Sequence, residues 1–290
     1  MLKNKTALSL SPLALLTLAA CGGTSGGAGS KAVIAEKGPL NLATAFLDYN
    51  DDGIHQELLE PGALTDATGA ASFSLALAPT TAQATAGYDL KIVGSANTID
   101  MSSNTVFSST LSAPSTSTMI TPVTTIMAES SLTKEQVVAT LGLPAGMDPL
   151  TFSSFDTTLT DAEKTTALAV EKAAQKVMSI VSTFATAAES SGASSAMAFK
   201  VAMTAVVESV KDATTAYEAA VTASTTPVVL AFTDAQVDAV KLEMDTQITA
   251  AIAGTDGYTA GDMTTAMESV FDTQVSNNVI ALKKVVGKIE

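Results

Sequence analysis

The period of the apolar residues changes once along this chain, and that change limits the folds open to it. Up to about residue 117 they fall in short runs of β type, separated by clusters of Gly, Asn, Asp, Ser and Thr. Candidate strands cover residues 43–47, 71–77, 88–93 and 105–111, and Thr65-Asp66-Ala67-Thr68-Gly69 reads as a hairpin tip feeding the second of them. After Thr133 the spacing becomes helical. Thr133 with Gln136, Thr160 with Glu163, and Thr233 with Gln236 have the form of capping boxes, and Thr259 with Asp262 is a looser version. Apolar stripes then run through Val170, Ala174, Val177, Val181 and Phe184, and through Phe199, Met203, Val206, Val210 and Tyr217. Two more span residues 237–252 and 267–286. The expected class is therefore α+β, a small β-sandwich followed by an all-α up-down four-helix bundle.

The boundaries expected from this pattern are 1–20, 21–31, 32–117, 118–160 and 161–290. They correspond in order to a signal peptide, a Gly/Ser tether, the β-domain, a linker with a short helix, and the helical bundle. Pro114 among serines and threonines marks the end of the β-domain.

The start of the chain reads as an address. Lys3 and Lys5 precede a 14-residue apolar run over residues 7–20, too short to span a bilayer and suited to a signal peptide. It ends in Leu18-Ala19-Ala20-Cys21, which resembles the lipobox of bacterial lipoproteins. That resemblance implies cleavage before Cys21, acylation of Cys21, and anchoring by acyl chains such as palmitate rather than by a span. The mature chain would then carry 13 lysines against 29 acids, a side-chain charge of −16. With its only cysteine modified it would have no disulfide. Gly22 after the cysteine implies an outer-membrane destination, on the periplasmic or the surface face.

One loop carries chemistry. Asp48-Tyr49-Asn50-Asp51-Asp52-Gly53-Ile54 has the D-x-N-x-D-G spacing of a calcium loop, in which oxygens at alternate positions face the ion and glycine takes the sharp turn. Asp48, Asn50 and Asp52 supply side-chain oxygens and Ile54 a carbonyl. The twelfth position is Leu59, and a strand pattern rather than a helix precedes Asp48, so the loop is not an EF-hand. Residues 38–77, including Gly38-Pro39-Leu40, Phe46-Leu47-Asp48, Glu60-Pro61, Thr65-Asp66 and Gly69, resemble the calcium-binding prealbumin-like B-repeats of serine-aspartate adhesins. The resemblance implies calcium as the cofactor, with Asp48, Asn50, Asp52 and Glu60 as side-chain ligands. Glu60 stands one residue later than the family's usual loop places it, which leaves Glu57 as its alternative.

Composition removes several function classes. All 15 cationic side chains are lysine against 29 acids, which argues against nucleic acid as a partner. The single histidine, His55, has no second His or Cys for zinc and reads as a surface residue. No serine has the strand–turn–helix surroundings of a nucleophile elbow, and the absence of Trp removes the usual sugar-stacking platform. The leading expectation is a non-enzymatic, acyl-anchored envelope protein with a calcium-stabilised structural or adhesion role. Its partners would be the membrane, through the anchor, and another protein or further copies of itself. The alternative is an apolar-ligand or lipid carrier using the Ala/Met-lined bundle, with a hydrolase third.

Overall fold

The computed structural model describes residues 29–130, 132–190 and 195–227. The expected signal peptide, Cys21, most of the tether, the third and fourth helices and the caps at Thr233 and Thr259 lie outside the described residues. Within them the protein is mixed α+β, with small sheets in the N-terminal part and helices in the C-terminal part.

The β-part contains three small sheets. In the first, β1 (Ser30–Ala35) lies between β5 (Ala70–Ser74), which is antiparallel to it, and β10 (Met119–Ile120), which is parallel. A second sheet pairs β2 (Leu40–Asn41) with β7 (Ile99–Asp100), and β7 with β8 (Thr105–Val106). The third is fully antiparallel, in the order β4 (Gly62–Leu64), β3 (Thr44–Asp48), β6 (Asp89–Val93), β9 (Thr110–Pro114). Its two inner strands are apolar on both faces apart from Thr44, Lys91 and the two terminal aspartates, and both faces are covered. The expected strand over residues 105–111 divides into β8 and the start of β9, with Phe107 buried between them.

Five helices are described. A short one, α1 (Thr81–Ala86), carries a Thr80–Gln83 capping box. The segment over residues 118–160, expected as a linker with a short helix, holds β10, α2 (Pro122–Ser130) and α3 (Lys134–Thr140). α2 starts with Pro122, whose missing N–H is harmless in a first turn, and α3 has the Thr133–Gln136 capping box expected of it. Two long helices follow, α4 (Asp161–Ser190) and α5 (Ser195–Thr222), and they pack against each other. Thr160 and Glu163 cap α4 reciprocally. Of the expected stripes, Val170, Ala174, Val177, Val181, Met203, Val206 and Val210 are buried. One apolar core runs from Val33 through the sheets and α2 to Val210, crossing the boundary expected at residue 117.

Candidate functional site

β3 ends at Asp48, which is fully buried. A carboxylate taken out of water needs hydrogen bonds and a counter-charge, and Asp48 has both. Its Oδ1 accepts from the Asp52 amide at 3.3 Å, its Oδ2 from the Gly53 amide at 2.8 Å, and the Lys91 ammonium stands 3.2 Å from Oδ2. The pattern continues around the turn. Asn50 Oδ1 accepts from the Asp52 amide at 3.4 Å, and Asp52 Oδ1 accepts from the Ile54 amide at 2.8 Å. Asp52 Oδ2 receives the side-chain amides of Asn50 and Gln56 at 2.9 and 2.5 Å. These are successive Asx turns, in which short polar side chains stand in for backbone acceptors. Gly53 has φ +74° with nothing within 4 Å of a would-be Cβ, so the position demands glycine for its backbone and not for space.

Glu60 closes the loop. Its carboxylate is buried, with Oε1 accepting from the Tyr49 amide at 2.9 Å and Oε2 from the Gln56 amide at 3.0 Å. Glu57 is exposed, so of the two alternatives Glu60 is the one built into the loop. Ile54 enters through its amide, and its side chain is 65% exposed. His55 is half-buried, its ring tilted against Phe46 at 5.1 Å between centroids, with Nε2 3.1 Å from the Glu60 carbonyl oxygen.

The structure thus brings Asp48, Asn50, Asp52 and Glu60 into one loop. As placed, their oxygens serve backbone amides, the side-chain amides of Asn50 and Gln56, and Lys91. No group of three or more His, Cys, Asp or Glu side chains is placed to hold a metal ion among the described residues. Lys91 also reaches Asp51 at 2.6 Å. Burial alone would push its pKa down, but its hydrogen bond to Asp51 and the charges of Asp48 and Asp51 hold it above the ordinary lysine value. Asp89, opposite Asp48 in the register, has its pKa pushed up to about 6 by burial. Lys91 opposes that shift, while Glu129, Asp51 and Asp48 add to it. Lys91 was legible only as an isolated cation in the apolar run Leu90-Lys91-Ile92, a weak signal without the strand register.

A second charged cluster has no counterpart in the sequence motifs. Glu36, just after β1, accepts from the Ser153 hydroxyl at Oε1, 2.5 Å, and from the Ser154 amide at Oε2, 3.0 Å. Lys37 lies 3.4 Å from the fully buried Asp100, and the Lys37 carbonyl accepts from the Gln175 side chain of α4 at 3.0 Å. One turn before Gln175, Glu171 is buried with its Oε2 unpartnered. Burial pushes the Glu36 carboxyl up to about 7 and the Glu171 carboxyl up to about 8. Glu36 and Asp100 push Glu171 further in the same direction. A cleft of about 540 Å³ opens above Glu36, between Met101, Ser102, Ser153, Phe155 and Asp156. The only hint of Glu171 in the sequence is its place beside Val170, at the edge of the apolar stripe.

Comparison with protein-family models, with curated proteins and with solved structures gave no match to this chain. Among the described residues no helix is long and apolar enough to cross a membrane.

Proposed function

We propose that this chain is an acyl-anchored lipoprotein of the bacterial cell envelope with a non-enzymatic, structural or adhesive role. The observation that carries the reading is the basic, then apolar, then Leu18-Ala19-Ala20-Cys21 sequence at its start. β1 begins at Ser30, nine residues after Cys21, so at about 3.5 Å per residue the folded body would stand within roughly 30 Å of the acyl chains. That distance suits a protein working against the membrane face or on a neighbour there. The polar groups of the 48–60 loop and the Glu36 carboxylate are engaged in holding segments together, which supports a scaffold rather than a reaction centre. In this reading the β-part is a prealbumin-like sandwich. The α4–α5 pair is half of an up-down four-helix bundle, completed by the helices expected over residues 237–252 and 267–286. The helical face would meet a protein partner or further copies of the chain.

The test is the intact mass and fractionation of the full-length product expressed in a bacterium. Loss of residues 1–20, added acyl mass and recovery with membranes are expected. The Cys21→Ser variant should be unprocessed or released. An unmodified chain beginning at Met1 would refute the anchoring.

A further inference from the structure

We infer that Lys91 is the resident cation of the 48–60 loop, its ammonium supplying the positive charge that the D-x-N-x-D-G pattern assigns to a metal. The position of Lys91 is fixed by sheet register and not by chance contact. In the β3–β6 pair Phe46 lies opposite Lys91 and Asp48 opposite Asp89. Alternate residues share a face, so Lys91 is the diagonal neighbour of Asp48 on one face of the sheet, within reach of a long side chain. β6 is an inner strand, flanked by β3 and β9, and only 10% of the Lys91 side chain is exposed.

Electrostatic need and electrostatic supply match at this point. Asp48 has no exposure at all, and a buried carboxylate left without a counter-charge is strongly destabilising. Lys91 meets it at 3.2 Å and clamps the turn at Asp51 at 2.6 Å, on the loop's outer side. Asp51 itself holds a φ of +56°, a left-handed conformation that Asp tolerates better than most L residues. The oxygens a calcium ion would draw on are already turned elsewhere. Asp48 accepts two loop amides, and Glu60 spends one oxygen on each of two more. Calcium takes six to eight oxygens, so it would have to share these carboxylates with the amides and exchange with the ammonium at Asp48. A tethered ammonium needs no such exchange and is present at any calcium concentration. The loop is then a fixed corner of the sheet, not a calcium sensor.

The inference is independent of the anchor and is tested on the full chain by melting curves in about 5 mM calcium and in chelator, a range covering extracellular calcium modules. The wild-type curves should coincide within about 1 °C, because no bound ion adds mass-action stability. Lys91→Met should melt about 10 °C lower in chelator, the scale expected for stranding a buried charge. With Asp48, Asp51 and Asp89 left unopposed, calcium should restore at least half of that loss. Lys91→Arg keeps the charge and should stay indifferent to calcium. A calcium-dependent rise of several degrees in the wild type or in Lys91→Arg would overturn the inference. So would a Lys91→Met variant as stable as the wild type, or one whose loss calcium does not reverse. If Lys91→Met does not fold, the wild-type and Lys91→Arg curves still decide.

Discussion

An acid side chain inside a protein must find a partner, keep its proton or destabilise the fold, and Glu171 has one oxygen with no partner. Glu36 and Asp100 face it from the β-part, Lys37 is the ammonium that opposes them, and Asp156 acts in turn on Glu36. Both Glu36 and Glu171 have folded-state pKa values raised from 4.5, to about 7 and about 8. A raised carboxyl pKa means the folded state binds the proton more tightly. Its contribution to stability is complete below about pH 4.5 and is lost as pH rises through 7 and 8. Asp89, raised to about 6, acts in the same direction. Asp66 and Glu163 are shifted down by hydrogen bonds to Thr68 and Thr160, but both are exposed, so their opposing effect is small. The urea midpoint should therefore be highest near pH 5 and fall towards pH 9, by an equivalent of about 2 kcal/mol. Glu171→Gln removes the proton requirement at nearly constant shape, and its midpoint should vary less over the same range. Equal slopes for the two proteins would show that Glu171 is not the group being titrated.

At the scale of elements, the informative contact is α2 on β9. β9 is the edge of its sheet, and an edge strand leaves backbone groups unpaired unless something covers them. Thr125 of α2 accepts from the Ser112 amide at 2.9 Å and donates to the Ser112 carbonyl oxygen at 3.1 Å, while Thr124 donates to the same oxygen at 3.0 Å. Two threonines on successive helix positions thus take the place of a fifth strand. Thr125→Val keeps the shape and strands a buried amide, so it should cost about 2 kcal/mol in a urea titration, whereas Thr165→Val on exposed α4 surface should cost little. None of this could be read from the sequence. The β3, β5 and β6 runs were legible because they are bounded by turn residues and are apolar or alternating. α3, α4 and α5 were legible from caps and stripes. β2, β7 and β10 are two residues long, too short for any periodicity, and exist only because a partner strand comes to them. α2 was hidden because its Thr-Pro start resembles a linker and its threonines serve the sheet instead of an apolar stripe. The Asp48, Asn50, Asp52 and Glu60 oxygens were legible as one loop from their spacing. The cation opposite them was not, since Lys91 is 43 positions from Asp48 in sequence and adjoins it only through strand register.

For the molecule as a whole, the question is whether the change of period near residue 117 separates two folding units. Ala113–Thr118 reads as a linker in sequence, but Leu111, Ala113 and Ser117 are buried, and the strand that follows, β10, returns to pair with β1. Polar ties cross the same line. The Ser117 hydroxyl donates to the Leu150 carbonyl oxygen at 3.0 Å, and the Ser153 hydroxyl to Glu36. Cutting at residue 117 would therefore do more than shorten a tether. It would remove β10 from β1, uncover the Ser112 backbone groups, leave Glu36 buried without its donors, and expose the apolar surface of Val33, Leu111 and Ile120. A cooperative unit is one whose parts cannot bury their apolar surface alone. The fragment 30–117 should accordingly lack a cooperative thermal transition, although it contains nine of the ten described strands. The fragment 30–227, which retains β10 and α2–α5, should melt in one transition, followed equally by far-ultraviolet circular dichroism and by tyrosine fluorescence from Tyr49 and Tyr88, which pack edge to face at 4.8 Å. Two separated transitions in the longer fragment, or a cooperative melt of the shorter one, would place a domain boundary where the continuous core leaves no room for it.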